Sequence, residues 1–491
     1  MPELPKILHT TLQVLLIVLG FNLIIFVHEL GHFLAGRWRG LKIDRFQIWF
    51  GKPIWKRTWN GVQYGLGWLP FGGFVSLPQM APMESIEGRA AEDGEPLPKI
   101  SPLDKIIVAF AGPLFSLLLA LAAAAIVTQV GKPVDTIPST VVGSVEKDSP
   151  GAKAGIRPGD KILAINGEPV TAFAGSSRMD GIFERIILSK GQDIRFTIER
   201  AGEPKPLELV SKFEIEPTKW YQRKSLRRVG IGPEAEHVLV SNVIKGSPAE
   251  RAGLKLGDRL ITADGQPVIC STRFLEIVAA AGAKPIEIAY ERSNIDPEKE
   301  LTPEEFANIK WTPGTVTVQA EVPVSPTGKP AMIGISPDDD PHQVTVIGHP
   351  GAWEQVKDSL RMMWTTLDRV FSRDSSIGID HLSGPVGIFK AQLQMLNMEN
   401  PYTRLLAFFV LFNVNLAVLN MLPFPVLDGG HIVLALMEWV SRRPVKARVL
   451  EWVQTAFALM LLGLMLYVTS KDSFGDFGHS RKAEEIVFKQ P

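Results

Sequence analysis

The run Val27-His28-Glu29-Leu30-Gly31-His32 closes an apolar stretch in which Leu12 to Val27 carries no charge. Gln13 and Asn22 are its only polar interruptions, and Thr11 precedes it. Histidines four apart project from one side of a helix, one turn from each other. Placed so, both imidazoles reach a single zinc ion, and the adjacent glutamate polarises the water that the metal holds. Two histidines and an acid at membrane depth are costly, which points to chemistry there. A five-residue pattern also arises by chance, so its weight depends on the rest of the chain.

The bulk numbers narrow the choices. A chain of 491 residues is long enough for three or four domain-sized units. Lys+Arg and Asp+Glu each number 52, so no net charge draws the chain to nucleic acid. The single cysteine, Cys270, excludes an intrachain disulfide and, standing alone, a cysteine-based zinc or nucleophile site. It reads as a small buried apolar residue. The first apolar block is long and has no small-residue cleavage site before the histidines, so it is expected to be retained as a span.

Working outward, residues 1–36 form the first span, and Arg37, Arg39, Lys42 and Arg45 follow it. Positive flanks mark the cytoplasmic side, which puts the amino terminus outside and the histidines in the cytoplasmic half of the membrane. Residues 37–102 are expected to hold a membrane-associated β-hairpin and a loop. Val62, Tyr64 and Leu66 alternate, and the glycines and aromatics of Gly67-Trp68-Leu69-Pro70-Phe71-Gly72-Gly73-Phe74-Val75 suit strand rather than helix. A second span covers 103–130, where Ala109-Phe110-Ala111-Gly112-Pro113 gives a small-residue face for close helix packing.

Two copies of one unit follow. Ser149-Pro150-Gly151-Ala152-Lys153-Ala154-Gly155 aligns with Ser247-Pro248-Ala249-Glu250-Arg251-Ala252-Gly253. At the same offset Gly159-Asp160 aligns with Gly257-Asp258, and Asn166-Gly167 with Asp264-Gly265. So long an ungapped match indicates duplication, with units at 137–235 and 236–338. Each copy resembles a PDZ domain. The glycine-flanked runs Val229-Gly230-Ile231-Gly232 and Met332-Ile333-Gly334-Ile335 come last in each copy, the order of a circularly permuted PDZ domain. Such domains bind extended peptides by strand addition, or here serve as a steric gate.

Residues 345–400 read as an amphipathic helical region with Trp353, Met362, Met363 and Trp364 suited to a membrane surface. The third span, 401–437, is interrupted by Pro423, Pro425 and the glycines at 429 and 430. Broken helix at membrane depth is tolerated only inside protein or along a cavity. Because the chain enters this span from outside, Asp428 falls at the depth of His28 and His32. Arg442, Arg443, Lys446 and Arg448 mark the inside again. A fourth span, 450–469, returns outside, and 470–491 is a polar tail. The fold class expected is a polytopic α-helical membrane protein of four spans with a β-hairpin and two α+β repeats.

A catalytic zinc site has three protein ligands and one open position. His28 and His32 supply two, and Asp428 is the third by depth. His431, three residues on, is its rival on nearly the same helical face. Glu29 is the general base toward water and then the acid toward the leaving amine. Asn415 and Asn420 are candidate hydrogen-bond donors to substrate, and Pro423 and Pro425 keep the segment open. A substrate helix hides its peptide groups in its own hydrogen bonds, so it unwinds before it is cut. The hairpin edge, including Gly72, Gly73, Phe74 and Val75, is placed to clamp the unwound strand.

Taken together, His28-Glu29-Leu30-Gly31-His32, the duplicated units and Asn420-Met421-Leu422-Pro423-Phe424-Pro425-Val426-Leu427-Asp428-Gly429-Gly430 resemble the site-2 proteases, and among them the RseP type of Gram-negative bacteria. The resemblance covers nearly the whole chain. It implies zinc held by His28, His32 and Asp428, with Glu29 as acid/base. It implies substrate handling by Asn415, Asn420, Pro423 and Pro425, and a membrane-associated hairpin at 61–77. The reaction implied is regulated intramembrane proteolysis, in the bacterial inner membrane, of single-span proteins already trimmed on the periplasmic side. Substrates of that kind include an anti-sigma factor of the envelope stress response and remnant signal peptides. The PDZ pair and both termini would be periplasmic, with the pair as a size filter. One departure is that the family often has Gly-Phe-Gly where this chain has Trp49-Phe50-Gly51. A membrane-tethered PDZ scaffold or holdase with a non-catalytic metal site is the rival reading, but such a site has no use for Glu29.

Overall fold

Small side chains set how closely the first two membrane helices approach. A Cβ on Gly31 would overlap the carbonyl oxygen of Ala111, so the helices cross with backbone against backbone. The computed structural model describes residues 3–80, 100–175, 179–295, 309–324, 330–341, 344–442, 447–474 and 488. These form two compact units. One comprises Met1–Pro133, Ile347–Asp368 and Leu382–Ser473, and the other Val134–Val346, Arg369–His381 and Phe474–Pro491.

The first unit contains helices long and apolar enough to cross a membrane at Leu8–Trp38, Pro102–Val130, Pro401–Asn420 and Trp452–Ser473. The second of these opens with a capping box, in which Ser101 and Asp104 satisfy each other's backbone N–H groups and Pro102 takes the first turn. Its buried Ala120 and Ala124 receive Val414 and Val410 of the third helix. Helix Ala352–Phe371 buries Val356 beside Ala120 and leaves Trp353 and Trp364 exposed.

The third span differs from a single segment over 401–437. Helix Pro401–Asn420 ends, residues 421–427 turn without helix, and a separate helix runs Asp428–Ser441. Pro423 and Pro425 bring no N–H to a continuing helix. The paired glycines do the rest: a Cβ on Gly429 would overlap the carbonyls of Met421 and Leu422, and one on Gly430 the carbonyl of Phe424. The new helix thus folds back onto the turn that precedes it. The fourth helix, Ala447–Phe474, extends past 469. Asp472, buried near its end, accepts the amides of Gly384 and Gly387 at 2.9 and 2.8 Å, at the start of helix Pro385–Leu396. Most of the tail, the loop at 81–99, and Arg443 and Lys446 lie outside the described residues.

The hairpin strands are Arg45–Trp59 and Val62–Ser76, joined at Asn60-Gly61, both with positive φ. Each strand bends, so the pair makes a sheet of four segments. Arg45–Ile48 pairs on one side with 73–76 and on the other with 63–66, and 63–66 also pairs with 55–58. The bend falls at Trp49 and Gly51, with φ of 67° and 89°. Left-handed backbone costs an ordinary residue about 1 kcal/mol. Trp49 gains a partner in return: its indole N–H is donated to Asn22 Oδ1 in the first span. Phe33 of that span packs on Phe46 and Tyr64, holding the sheet to the helix. Segment 73–76 is left as an edge.

The second unit holds the duplicated halves. In the first, strands 168–169, 161–165, 194–199 and 207–211 form one sheet in that order, and Val142–Val145 pairs with Ile231–Pro233. In the second, the sheet order is 311–319, 285–293, 259–263, 235–243, 335–341. The duplication extends to single atoms. Ser149 and Ser247 cap equivalent short helices. Asp160 is buried against Arg200, which also donates to the Gly155 carbonyl, and Asp258 against Arg292, which donates to that of Gly253. Cys270 is free and buried.

Candidate metal centre and its cleft

His28 and His32 lie one turn apart on the first helix, with ring centroids 4.9 Å apart and planes at 82°. Their Nε2 atoms are 3.3 Å apart. Asp428, the first residue of its helix, brings Oδ2 to 3.3 Å from His28 Nε2 and Oδ1 to 3.3 Å from His32 Nε2. Ligands about 2.0 Å from one tetrahedral ion stand about 3.3 Å from each other, so these three edges suit zinc.

The far side of each ring is also satisfied. His32 Nδ1 lies 2.8 Å from the carbonyl oxygen of Val108. A carbonyl only accepts, so Nδ1 carries the proton and Nε2 keeps its lone pair for a metal. His28 Nδ1 lies 3.0 Å from Ser116 Oγ, which is fully buried. Gly112, between these two partners on the second helix, has no side chain for a reason: a Cβ there would overlap His32 Nε2 and come within 2.9 Å of His28 Nε2.

Glu29 shares a cavity of about 180 Å³ with the trio. The backbone N–H of Val75 faces its carboxylate. A Cβ on Gly73 would stand 3.3 Å from Glu29 Cγ, so the hairpin edge lies directly on this side chain. Phe74, Val75 and Ser76 line one wall, and Asn420, Val426 and Leu427 another. Lys105 Nζ, at 2.6 Å from Glu438, ties the second helix to the one that begins at Asp428.

The structure therefore brings together His28, Glu29, His32, Asp428, Asn420, Phe74 and Val75, with Gly73 behind them. Asn420 Nδ2 is 3.4 Å from His28 Nε2. Asn415, Gly72, Pro423 and Pro425 are not on the cavity wall. Pro425 instead offers its carbonyl to Gln454 at 3.0 Å, and Gly72 lies under the ring of Phe50. His431 lines the cavity and is buried, but the atoms that cluster at metal-binding distance belong to His28, His32 and Asp428. Val108, Gly112 and Ser116 were not singled out from the sequence. The small-residue run containing Gly112 signals close packing, and nothing in it signals imidazole partners.

A family model described as peptidase family M50 matches residues 16–464. A Neisseria meningitidis protein whose name describes it as a zinc metalloprotease is 30% identical over 485 residues, covering 94% of this chain and 98% of that one. A Salmonella typhimurium protein named regulator of sigma-E protease RseP is 28% identical over 470 residues, covering 92% and 96%. An Escherichia coli protein of the same name is 27% identical over 467 residues, again covering 92% and 96%.

Proposed function

Because the chain belongs to peptidase family M50, the zinc-dependent site-2 proteases, and is a metalloprotease of that family, we propose that it hydrolyses peptide bonds within the membrane at the cleft of His28, Glu29, His32 and Asp428. The observation that carries this reading is the trio of ligand atoms at mutual distances of 3.3 Å with a carboxylate, Glu29, in the same cavity. Zinc bound there supplies Lewis-acid polarisation of a scissile carbonyl and a water acidic enough to attack at neutral pH. Glu29 takes the proton from the attacking water as the new C–O bond forms. It then delivers that proton to the amide nitrogen as the C–N bond breaks. Val75 N–H faces the carboxylate of Glu29 and orients it toward the cleft. His431 serves as a wall of the cleft rather than as a ligand.

The edge at 73–76 receives the unwound substrate as an added strand, which supplies the hydrogen bonds that the substrate helix gave up. Asn420 contributes a side-chain donor at the same place; Asn415 acts from the helix above, and Pro423 and Pro425 set the turn. Exposed Trp55, Trp59 and Trp68 suit a sheet lying at a membrane interface. The names of two relatives, regulator of sigma-E protease, support a regulatory role; we infer that the chain acts in the inner membrane on single-span substrates such as a trimmed anti-sigma factor or remnant signal peptides. In this reading the two repeats are PDZ domains in the periplasm that exclude substrates with bulky domains.

Co-expression of a single-span reporter with wild-type protein and with Glu29→Gln tests the reaction. Wild type removes the reporter and Glu29→Gln leaves it intact; equal loss in both would end the protease assignment for this cleft.

A further inference from the structure

Phe488 is 3% exposed, although its sequence follows the last membrane helix and belongs to neither repeat. It lies in the second unit, with its Cε2 3.0 Å from where a Cβ on Gly334 would stand. Gly334 has φ of +84° and also abuts Ser247, so only glycine lets this loop come so close to a ring.

The first repeat supplies an internal control. Gly230, with φ of +77°, abuts Ser149 as Gly334 abuts Ser247. Its further neighbour is Glu146 of the same repeat, where Gly334 has Phe488 from outside. Among the described residues, the first repeat closes its core around Phe173, Phe196 and Ile162 with none from beyond the fourth span. A unit of this fold therefore has no need of such a ring.

The place that Phe488 occupies has the form of a peptide site. Gly334 leads into strand Ile335–Pro341, the last strand of its sheet order, paired on one side with Ala235–Val243. Helix Ser271–Ala281 lies beside that strand, and Ser271 Oγ donates to Asp339 Oδ2 at 2.9 Å. An edge strand with a helix alongside accepts an extended chain by strand addition, with a pocket for one side chain.

We propose that the second repeat binds an extended peptide bearing an aromatic side chain at Ile333-Gly334-Ile335, and that Phe488 fills this site in cis. The proposal rests on the reading of the repeats as peptide-binding modules. A tethered occupant has an effective concentration of the order of millimolar, so an incoming peptide has to displace it. The site is thereby reserved for ligands that outcompete the chain's own segment.

The test uses full-length protein in detergent and a fluorescein-labelled peptide of residues 484–491. Phe488→Ala protein is expected to bind it at least tenfold more tightly than wild type does, by anisotropy. Phe488→Leu is expected to fall between them, and the peptide with alanine in place of Phe488 to bind neither. Equal binding to wild type and Phe488→Ala, or binding to neither, overturns the proposal. So does loss of amide protection across Val238 to Ile288 in Phe488→Ala, which would make Phe488 a core residue. Binding needs no hydrolysis, so this failure is distinct from failure of the protease reading.

Discussion

Gly112 stands against both imidazoles of the metal trio, with room for a hydrogen and none for a methyl group. The second helix is thus the back wall of the metal centre as well as a packing partner. Gly112→Ala is expected to cut zinc affinity by about 100-fold, the upper end for disturbed support of metal-bound histidines. Zinc content per chain after purification measures this. A full zinc complement would show that the histidines simply shift.

Ser116→Ala removes the partner of His28 Nδ1 and leaves His32 with its carbonyl. Affinity for zinc is expected to fall about tenfold, and cleavage with it. Titration against a chelator of known affinity gives the number. Ser116→Ala with unchanged affinity would mean that Oγ does not set the ring.

Val75→Pro deletes the N–H that faces Glu29 and breaks the edge strand. Cleavage of the reporter should fall by tenfold or more while zinc stays bound. Retained activity would remove both the clamp and the orientation of Glu29 from the mechanism. Gly73→Val, which crowds Glu29 Cγ, should act in the same direction.

Lys105 and Glu438 test how firmly Asp428 is presented. Each single charge reversal, Lys105→Glu or Glu438→Lys, is expected to weaken zinc binding several-fold by loosening the helix that begins at Asp428. The double reversal should restore it. A double variant no better than the worse single one would show that the pair does not couple to the metal.

Asp160→Asn and Asp258→Asn address the repeats. Each leaves an arginine without its buried partner and is expected to destabilise its own repeat by about 3 kcal/mol. Hydrogen exchange should show the loss in that repeat alone. Equal loss in both repeats from one substitution would mean that the halves fold as one body.

His28, Glu29 and His32 were legible because a helix brings positions four apart together whatever the rest of the chain does. Asp428 was legible by depth: alternating spans and basic flanks put it level with the histidines. Which of Asp428 and His431 clusters with the two rings depends on the helix start: the carboxylate at its first position lies 3.3 Å from both Nε2 atoms, and the imidazole three residues on falls outside that cluster. Val108 and Ser116 stayed hidden because their contacts join residues 76 and 88 apart in sequence, and one of them is a carbonyl that any residue carries. The hairpin was visible in its alternation, but not its double register, in which the same four residues pair on both sides. Trp49, where the family often has glycine, reads from sequence as a misfit. In the structure it keeps the left-handed turn and adds a bond to Asn22.

Asp428 enters the site from roughly 400 residues downstream of the histidines. During synthesis the first span therefore reaches the membrane with two imidazoles and a carboxylate long before the third ligand exists. A growing chain is chemically harmless to its neighbours in the bilayer until its last quarter has been made and folded back. Order of translation thus acts as a safety catch: the cluster of His28, His32 and Asp428 cannot assemble until the chain has been made past its third span.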